Sequence, residues 1–202
     1  MISYAGVFIM LWFILLIILF RKYHISLKNY LLVAIPLTAI LLLFIFTFPR
    51  AIIDYSVHWP KSILICHVAF SFLAYASFSV SFCSSLVYLF HEWLLKKKIS
   101  YNFSMRLPSL EVLEDLSFLV VEFGLLFLIF GILSGMMWSK YAHGFYFTNS
   151  PKEIWSIITF AFFAFYFIIH RRFGLSRHKL IYILLSGSSI IFAAYLWVHL
   201  FS

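Results

Sequence analysis

Long apolar stretches separated by short charged segments dominate this chain of 202 residues. A membrane-spanning helix needs about 20 apolar residues, and windows of this kind lie near residues 4–20, 30–48, 62–90, 112–137, 153–170 and 180–201. With 64% hydrophobic and 11% charged residues, the chain has too little polar surface for a soluble globule. The sequence therefore predicts an all-α integral membrane protein, a single membrane domain over residues 1–202 with about six transmembrane helices.

The basic residues indicate which way the predicted helices cross the membrane. Eleven of the 15 Lys and Arg residues follow the first, third and fifth helices, and the opposite side has only Arg50, Lys61, Lys140 and Lys152. The positive-inside rule assigns the richer side to the cytoplasm. We therefore expect both termini on the outer, periplasmic side of a bacterial (or organellar) inner or plasma membrane, with the lipid bilayer and not nucleic acid as the partner of these charges. The first stretch has no cleavage site and ends at Arg21-Lys22, so we expect it to be retained as a helix.

Acidic residues mark the fourth predicted helix. Pro108-Ser109 followed by Glu111 and Glu114 is typical of a helix N-terminus, where acids meet the positive end of the helix dipole. We interpret both acids as capping and solvated groups. Glu122 lies about two turns deeper, where a carboxylate is costly unless it is paired, protonated or turned toward a polar interior.

Small residues in two predicted helices indicate close packing. Gly124, Gly131 and Gly135 fall on related faces of the fourth helix, and the last helix contains the small segment 186–189. A Gly-x-x-x-Gly pattern lets another helix backbone approach closely, so we predict that both segments lie at helix–helix contacts.

The histidines raise the question of a ligand site, because an imidazole in lipid must find a partner. His67 lies about two turns inside the third helix from the outer side, and His199 lies at the outer end of the sixth. His143 belongs to the outer loop between the fourth and fifth helices, and His170 ends the fifth helix on the cytoplasmic side. Three others, beside basic residues at cytoplasmic helix ends, are interpreted as interfacial: His24, His91 and His178.

Two chemical readings of the deeper histidines remain open at this point. Two facing imidazoles can fill both axial positions of haem iron without a Cys or carboxylate ligand. Each histidine alone is more often a hydrogen-bonded packing residue. The sequence contains no His-Glu-x-x-His motif and no Cys/His knuckle, so a tetrahedral zinc site is not predicted.

Four segments of the chain, in order, carry a family resemblance. They are His67–Phe78 (H-V-x-x-x-x-L-A-Y-A-x-F), Pro108–Ser117 (P-S-L-E-x-L-E-x-L-S), Gly131–Trp138 (G-x-x-S-G-x-x-W) and Pro151–Thr159 (P-K-E-x-W-x-x-I-T). Over a core of about residues 62–199, this order and spacing resembles the integral-membrane cytochrome c assembly family, the CcsA, HemX and CcmC type of haem-handling proteins. The Pro-Lys-Glu segment is more similar to the CcsA and HemX branch than to CcmC.

The resemblance implies ligands for haem on both sides of an outer loop. The family uses histidines that flank this loop, and His67 matches the first of them. His170 matches a helix histidine that the family uses for haem transit from the cytoplasmic side. His199 lies where the family commonly has an asparagine, and we expect it to substitute for the second flanking histidine.

The outer loop itself departs from the family pattern. Where the family has W-G-x-Y-W-x-W-D-P-K-E, residues 143–153 read H-G-F-Y-F-T-N-S-P-K-E. The tryptophans and the aspartate are lost, and an aromatic platform is kept only in part, by Phe145, Tyr146 and Phe147.

The resemblance implies a haem-handling protein of cytochrome c biogenesis that binds haem b near the outer membrane face. We expect His67 and His199 to ligate the iron, with His143, Phe145, Tyr146 and Trp155 around the macrocycle. The expected partners are apocytochrome c and a second cytochrome c biogenesis membrane subunit, in a haem-attachment (synthase) complex to which this chain contributes no catalytic side chain. The alternative is a HemX-like regulatory or structural subunit that binds haem weakly or not at all.

Overall fold

Four long helices make up most of the part of the chain that the structure, a computed structural model, describes. It describes residues 61–98 and 107–201, with Ile14, Ile17, Ile18 and Arg21, but not the side chains of Lys61 and of residues 192–201. The helices are α1 (Lys61–Lys97), α2 (Leu110–His143), α3 (Pro151–Arg172) and α4 (Arg177–Phe201). The first three are long and apolar enough to cross a membrane.

The last four predicted helices are confirmed as helices, with ends that lie a few residues further out. The largest differences are at the end of α1, which runs to Lys97, and at the end of α2, which runs to His143. Hydropathy windows stop where charge begins, whereas a helix continues until its backbone is capped. The helices predicted near 4–20 and 30–48 lie outside the described residues, apart from four helical positions, so the total of six and the side of the termini stay predictions.

The start of α2 is the one predicted from Pro108-Ser109. Ser109 is the N-cap, and its hydroxyl oxygen accepts the Val112 N–H at 3.3 Å. At the other end, Gly144 takes a left-handed conformation (φ 81°) and donates its N–H to the Lys140 carbonyl. A side chain is disfavoured at such a φ, so glycine allows the chain to turn sharply there.

Small residues hold α1 and α2 together along most of their length. A Cβ built on Gly131 would lie 3.2 Å from Ser71 Oγ and 3.5 Å from the Ser71 backbone nitrogen. Further along the same contact, the Ser81 hydroxyl donates to the Ser117 carbonyl at 3.2 Å. The predicted close approach at the Gly-x-x-x-Gly segment is therefore confirmed.

Aromatic packing joins α3 to the other helices. The Phe163 ring is fully buried and stacks on Phe78 of α1 with 4.1 Å between centroids. In α4, a Cβ on Gly187 would overlap the Phe162 ring, which confirms close packing at the small segment 186–189. Two residues after Phe163, Phe165 is 59% exposed, on the side of α3 that faces away from the bundle.

Candidate functional site

His67 occupies a defined position between α1 and α2. Its ring is half-buried, and Nδ1 lies 2.7 Å from the carbonyl oxygen of Gly131. Because a carbonyl oxygen can only accept, Nδ1 carries the hydrogen, and Nε2 of the neutral ring carries the lone pair. Within the described ranges, no hydrogen bond engages Nε2. Nε2 is therefore the nitrogen of this ring that has the lone pair a ligand needs.

Gly135 makes the space that this ring occupies. A Cβ at that position would lie 2.8 Å from His67 Cε1 and 2.9 Å from Nδ1. From sequence, Gly135 was interpreted only as a packing residue of the Gly-x-x-x-Gly pattern. The structure adds a contact with His67, which the spacing of the glycines within α2 does not predict. The histidine belongs to another helix and lies 64 residues before Gly131 in the sequence.

The loop between α2 and α3, residues 144–150, is called the outer loop after its predicted side of the membrane; it is held at both ends and exposes its aromatic rings. The exposed fractions are 70% for Phe145, 55% for Tyr146 and 40% for Phe147. The Glu153 carboxylate closes the loop, because it accepts from both the backbone N–H and the hydroxyl of Thr148, each at 2.8 Å. This contact gives the Glu of the Pro-Lys-Glu segment a physical role.

The start of α3 fixes the position of that glutamate. The Ser150 hydroxyl accepts the Glu153 N–H at 3.4 Å, and Pro151 occupies the first helical turn, where its missing N–H costs nothing. The junction between the loop and α3 is therefore held by two contacts: the Ser150 cap on the Glu153 N–H, and the Glu153 carboxylate on Thr148.

The other residues predicted for the outer side, His143 and Trp155, lie apart from His67. His143, at the end of α2, is exposed and meets Trp138 edge to face at 5.8 Å. Trp155 is half-buried in the second turn of α3. No hydrogen bond or ring contact among the described side chains joins His67 to Phe145, Tyr146 or Trp155.

The distance along the bundle between His67 and the outer loop follows from the rise of α2. α2 rises about 13 Å between Gly135, which touches His67, and Gly144, where the outer loop begins. His199 lies in α4, but its side chain is outside the described part of the chain. Its pairing with His67 stays a prediction.

His170 belongs to a second level of the bundle. Its ring stacks on Phe118 of α2 at 3.6 Å between centroids, and its Nε2 lies 3.7 Å from Glu114 Oε1. Thirteen residues of α2, about 20 Å along the axis, separate Phe118 from Gly131. His67 and His170 therefore lie too far apart to bind one iron atom.

The acids and bases around His170 form what we call the inner ion-pair cluster: Glu92, Glu111, Glu114, Glu122, His170, Arg171, Arg177 and His178. Arg177 Nε lies 2.6 Å from Glu114 Oε2, and Arg171 lies 2.6 Å from Glu122. The cluster connects the four described helices at the end of the bundle opposite the α2–α3 loop, which is the predicted inner end.

Three interpretations from sequence are wrong here. His91 is not solvated at an interface, because only 6% of it is exposed. Glu114 is not a solvated capping residue, because only 7% of it is exposed and Arg177 pairs with it. His178 is not merely solvated at an interface, because its Nδ1 lies 2.9 Å from the carboxylate of Glu92. Both partners come from other helices, so the local sequence pattern contained no signal for them. Glu122 is paired, which is one of the alternatives considered for it.

Haem is the group that the family resemblance implies, and the described side chains differ in whether they could hold it or a bare metal ion. Among the described residues, no group of three or more His, Cys, Asp or Glu side chains could hold a metal ion. Haem needs only one or two axial ligands, because the porphyrin supplies the other four donors. Nε2 of His67 has the lone pair that one of these ligand positions needs.

Comparison with known proteins agrees with the motifs. A family model described as "Cytochrome C assembly protein" matches residues 2–202. The chain is 34% identical over 110 residues to the cytochrome c biogenesis protein CcsA of Lobularia maritima, covering 53% of this chain and 34% of that protein. It is 29% identical over 165 residues to CcsA of Welwitschia mirabilis, with 71% and 52% covered. For CcsA of Arabidopsis thaliana the values are 32% over 110 residues, with 53% and 34% covered.

The chain spans about a third to a half of the length of these curated relatives. No solved structure matches.

Proposed function

Because this chain belongs to the cytochrome c assembly protein family, we propose that it is a haem-handling membrane protein of cytochrome c biogenesis. It binds haem b near the outer membrane face and presents it to apocytochrome c. A second membrane subunit of the same system completes the assembly. The proposed location is a bacterial or organellar inner or plasma membrane.

One observation carries this proposal: the hydrogen bond from His67 Nδ1 to the Gly131 carbonyl. Histidines that ligate metals usually donate their other ring N–H to a carbonyl or carboxylate, which fixes the tautomer and raises the basicity of the ligating nitrogen. His67 has this arrangement. We propose Nε2 of His67 as one axial ligand and His199 as the other.

The other outer-side residues bind and shield the macrocycle in this proposal. Phe145, Tyr146 and Trp155 cover its faces, and His143 lies at the loop entrance. The Lys140 Nζ lies 4.8 Å from the Tyr146 ring centroid, at the start of the loop. In this proposal Lys140 would pair with a propionate. Bound haem supplies the redox-active iron and the vinyl groups that receive cysteine thiols. The chain's own residues would hold the macrocycle.

His170 is the proposed contact for haem that enters from the cytoplasmic side. Its separation of about 20 Å from the His67 level along α2 makes it a distinct station, not a second ligand at the outer site. A His170→Ala variant with unchanged haem occupancy and unchanged loading rate would refute this role and leave packing on Phe118 as its function.

The experiment is a reduced-minus-oxidised visible spectrum of the whole protein in mild detergent, purified from cells with ample haem. We expect a b-type band that His67→Ala abolishes and that added imidazole restores in His67→Gly. His178→Ala is the matched control, since it also removes a hydrogen-bonded histidine but at the inner end, and it should keep the band. A colourless wild-type protein, or a band unchanged in His67→Ala, refutes the proposal.

A second candidate is a HemX-like regulatory or structural subunit with weak or no haem binding. The exposed outer loop favours it, because its rings are 40–70% exposed and do not pack into a closed platform. This candidate predicts a colourless protein at full haem supply that still copurifies with its membrane partner.

A further inference from the structure

We propose that the Gly131 carbonyl and Gly135 form an imidazole socket that fixes the tautomer and orientation of His67. The haem-binding consequence of this socket rests on the proposed function, whereas the tautomer does not. The two glycines are positioning residues, since they act on a ligand through the histidine that carries it. Packing of α1 on α2 needs small residues but does not by itself require this particular contact with a ring.

The hydrogen bond is the first part of the socket. The Gly131 oxygen lies 2.7 Å from His67 Nδ1, and a carbonyl oxygen can only accept, so Nδ1 carries the hydrogen. The Ser134 hydroxyl lies 2.6 Å from the Phe130 carbonyl and 3.0 Å from the Gly131 carbonyl. A carbonyl oxygen has two lone pairs, so the Gly131 oxygen can accept from the imidazole whichever of the two carbonyls takes the Ser134 proton.

The missing side chain at Gly135 is the second part. An added Cβ would meet two ring atoms of His67 at 2.8 and 2.9 Å, well inside the 3.4–4 Å of ordinary contact. The ring or the helix would have to shift by several tenths of an ångström. We therefore expect a methyl group at Gly135 to disturb the hydrogen bond between His67 and the Gly131 oxygen without changing either residue.

Gly124 provides a matched control on the same helix. A Cβ there would lie 2.7 Å from Phe78 Cε1 and 3.0 Å from Cδ1, so alanine meets an aromatic ring of α1 just as closely. It lies eleven residues before Gly135, three turns along nearly the same face of α2. Gly124→Ala thus reproduces the overpacking but leaves the histidine alone.

The first test uses the protein without haem. Histidine labelled with ¹⁵N reports the tautomer by NMR, and His67→Ala identifies the signal. We expect the neutral Nδ1–H tautomer for His67 in the wild type and in Gly124→Ala, and a mixture of both tautomers in Gly135→Ala. An Nε2–H tautomer in the wild type, or an unchanged signal in Gly135→Ala, overturns the socket. The wild-type measurement decides the matter even if Gly135→Ala does not fold.

The second test is haem titration of the same proteins in detergent. Loss of the partner that orients a metal-binding histidine typically weakens metal affinity about 10–100-fold, so we expect this loss in Gly135→Ala relative to Gly124→Ala. Equal affinities, with binding abolished in His67→Ala, overturn the positioning role and leave the proposed function intact. Unchanged haem binding in His67→Ala overturns the proposed function, while the tautomer measurement still decides the socket.

Discussion

Replacing Arg177 by glutamine tests how the inner ion-pair cluster holds the bundle together. Arg177 begins α4 and reaches back to α2, with Nε 2.6 Å from Glu114 Oε2 and a terminal nitrogen 3.2 Å from Glu111 Oε1. Glutamine keeps part of the length of the side chain but removes the charge. Because Glu114 is buried, the substitution leaves its carboxylate without a cation at 2.6 Å.

The expected cost follows from that burial. Breaking a buried ion pair by removing one partner costs about 3–5 kcal/mol, because the remaining charge stays uncompensated. The Arg177 side chain is 50% exposed, so water can reach part of the pair and lower the cost. We therefore expect Arg177→Gln to reduce the free energy of unfolding by about 2–3 kcal/mol.

Arg171→Gln is the comparison that isolates burial. The Arg171–Glu122 bond is also 2.6 Å long, but these side chains are less buried. The Arg171 side chain, in the last turn of α3, is 59% exposed, and the Glu122 side chain of α2 is 30% exposed. An exposed pair of this kind is worth about 0–1 kcal/mol. The double variant Arg177→Gln/Glu114→Gln should recover part of the stability lost in Arg177→Gln, because it removes the buried charge as well.

The assay is unfolding by SDS in mixed micelles, followed by far-ultraviolet circular dichroism. The expected order of stability is wild type, then Arg171→Gln, then Arg177→Gln, with the double variant above Arg177→Gln. If Arg177→Gln costs no more than Arg171→Gln, or if the double variant is less stable still, the buried Glu114 carboxylate does not depend on Arg177 and the reasoning fails.

Two further substitutions test single contacts. Gly187→Ala would overlap Phe162 and should destabilise the protein by about 1–3 kcal/mol in the same SDS titration, despite the better helix propensity of alanine; a variant at least as stable as the wild type would show that α4 can move away from α3. Glu153→Ala removes both bonds to Thr148 and should speed amide hydrogen exchange in residues 144–150 at least about tenfold, whereas Glu111→Ala should leave that exchange unchanged; equal exchange in both variants would mean that the carboxylate does not hold the loop.

The ends of the helices illustrate what could be predicted locally. Ser109 marks a helix start in the sequence because an N-cap acts within three or four residues. The helix predicted near residues 153–170 begins two residues earlier, at Pro151, a proline in the first helical turn. The same locality explains why the Gly-x-x-x-Gly segment was recognised as a contact surface. It also explains why the partner of that surface, Ser71 of α1, was not.

The buried and exposed phenylalanines illustrate what could not. Phe163 is fully buried and Phe165 is 59% exposed, yet both are equally suited to lipid or to a protein core. In a bilayer, apolar residues on either side of a helix look alike, so hydropathy does not indicate which face meets another helix. The rotation and register of each helix decide which polar groups meet.

Apolar length was therefore enough to predict the helices near residues 62–90, 112–137, 153–170 and 180–201, a capping residue was enough to predict the start of α2, and four ordered motifs were enough to predict the family. Only the tertiary structure decided that His67 donates to Gly131, that Gly135 makes room for its ring, and that Glu114 is buried against Arg177. Helix formation depends on neighbours within one or two turns. These contacts instead join residues more than 60 positions apart, and depend on how α1, α2 and α4 are rotated against one another.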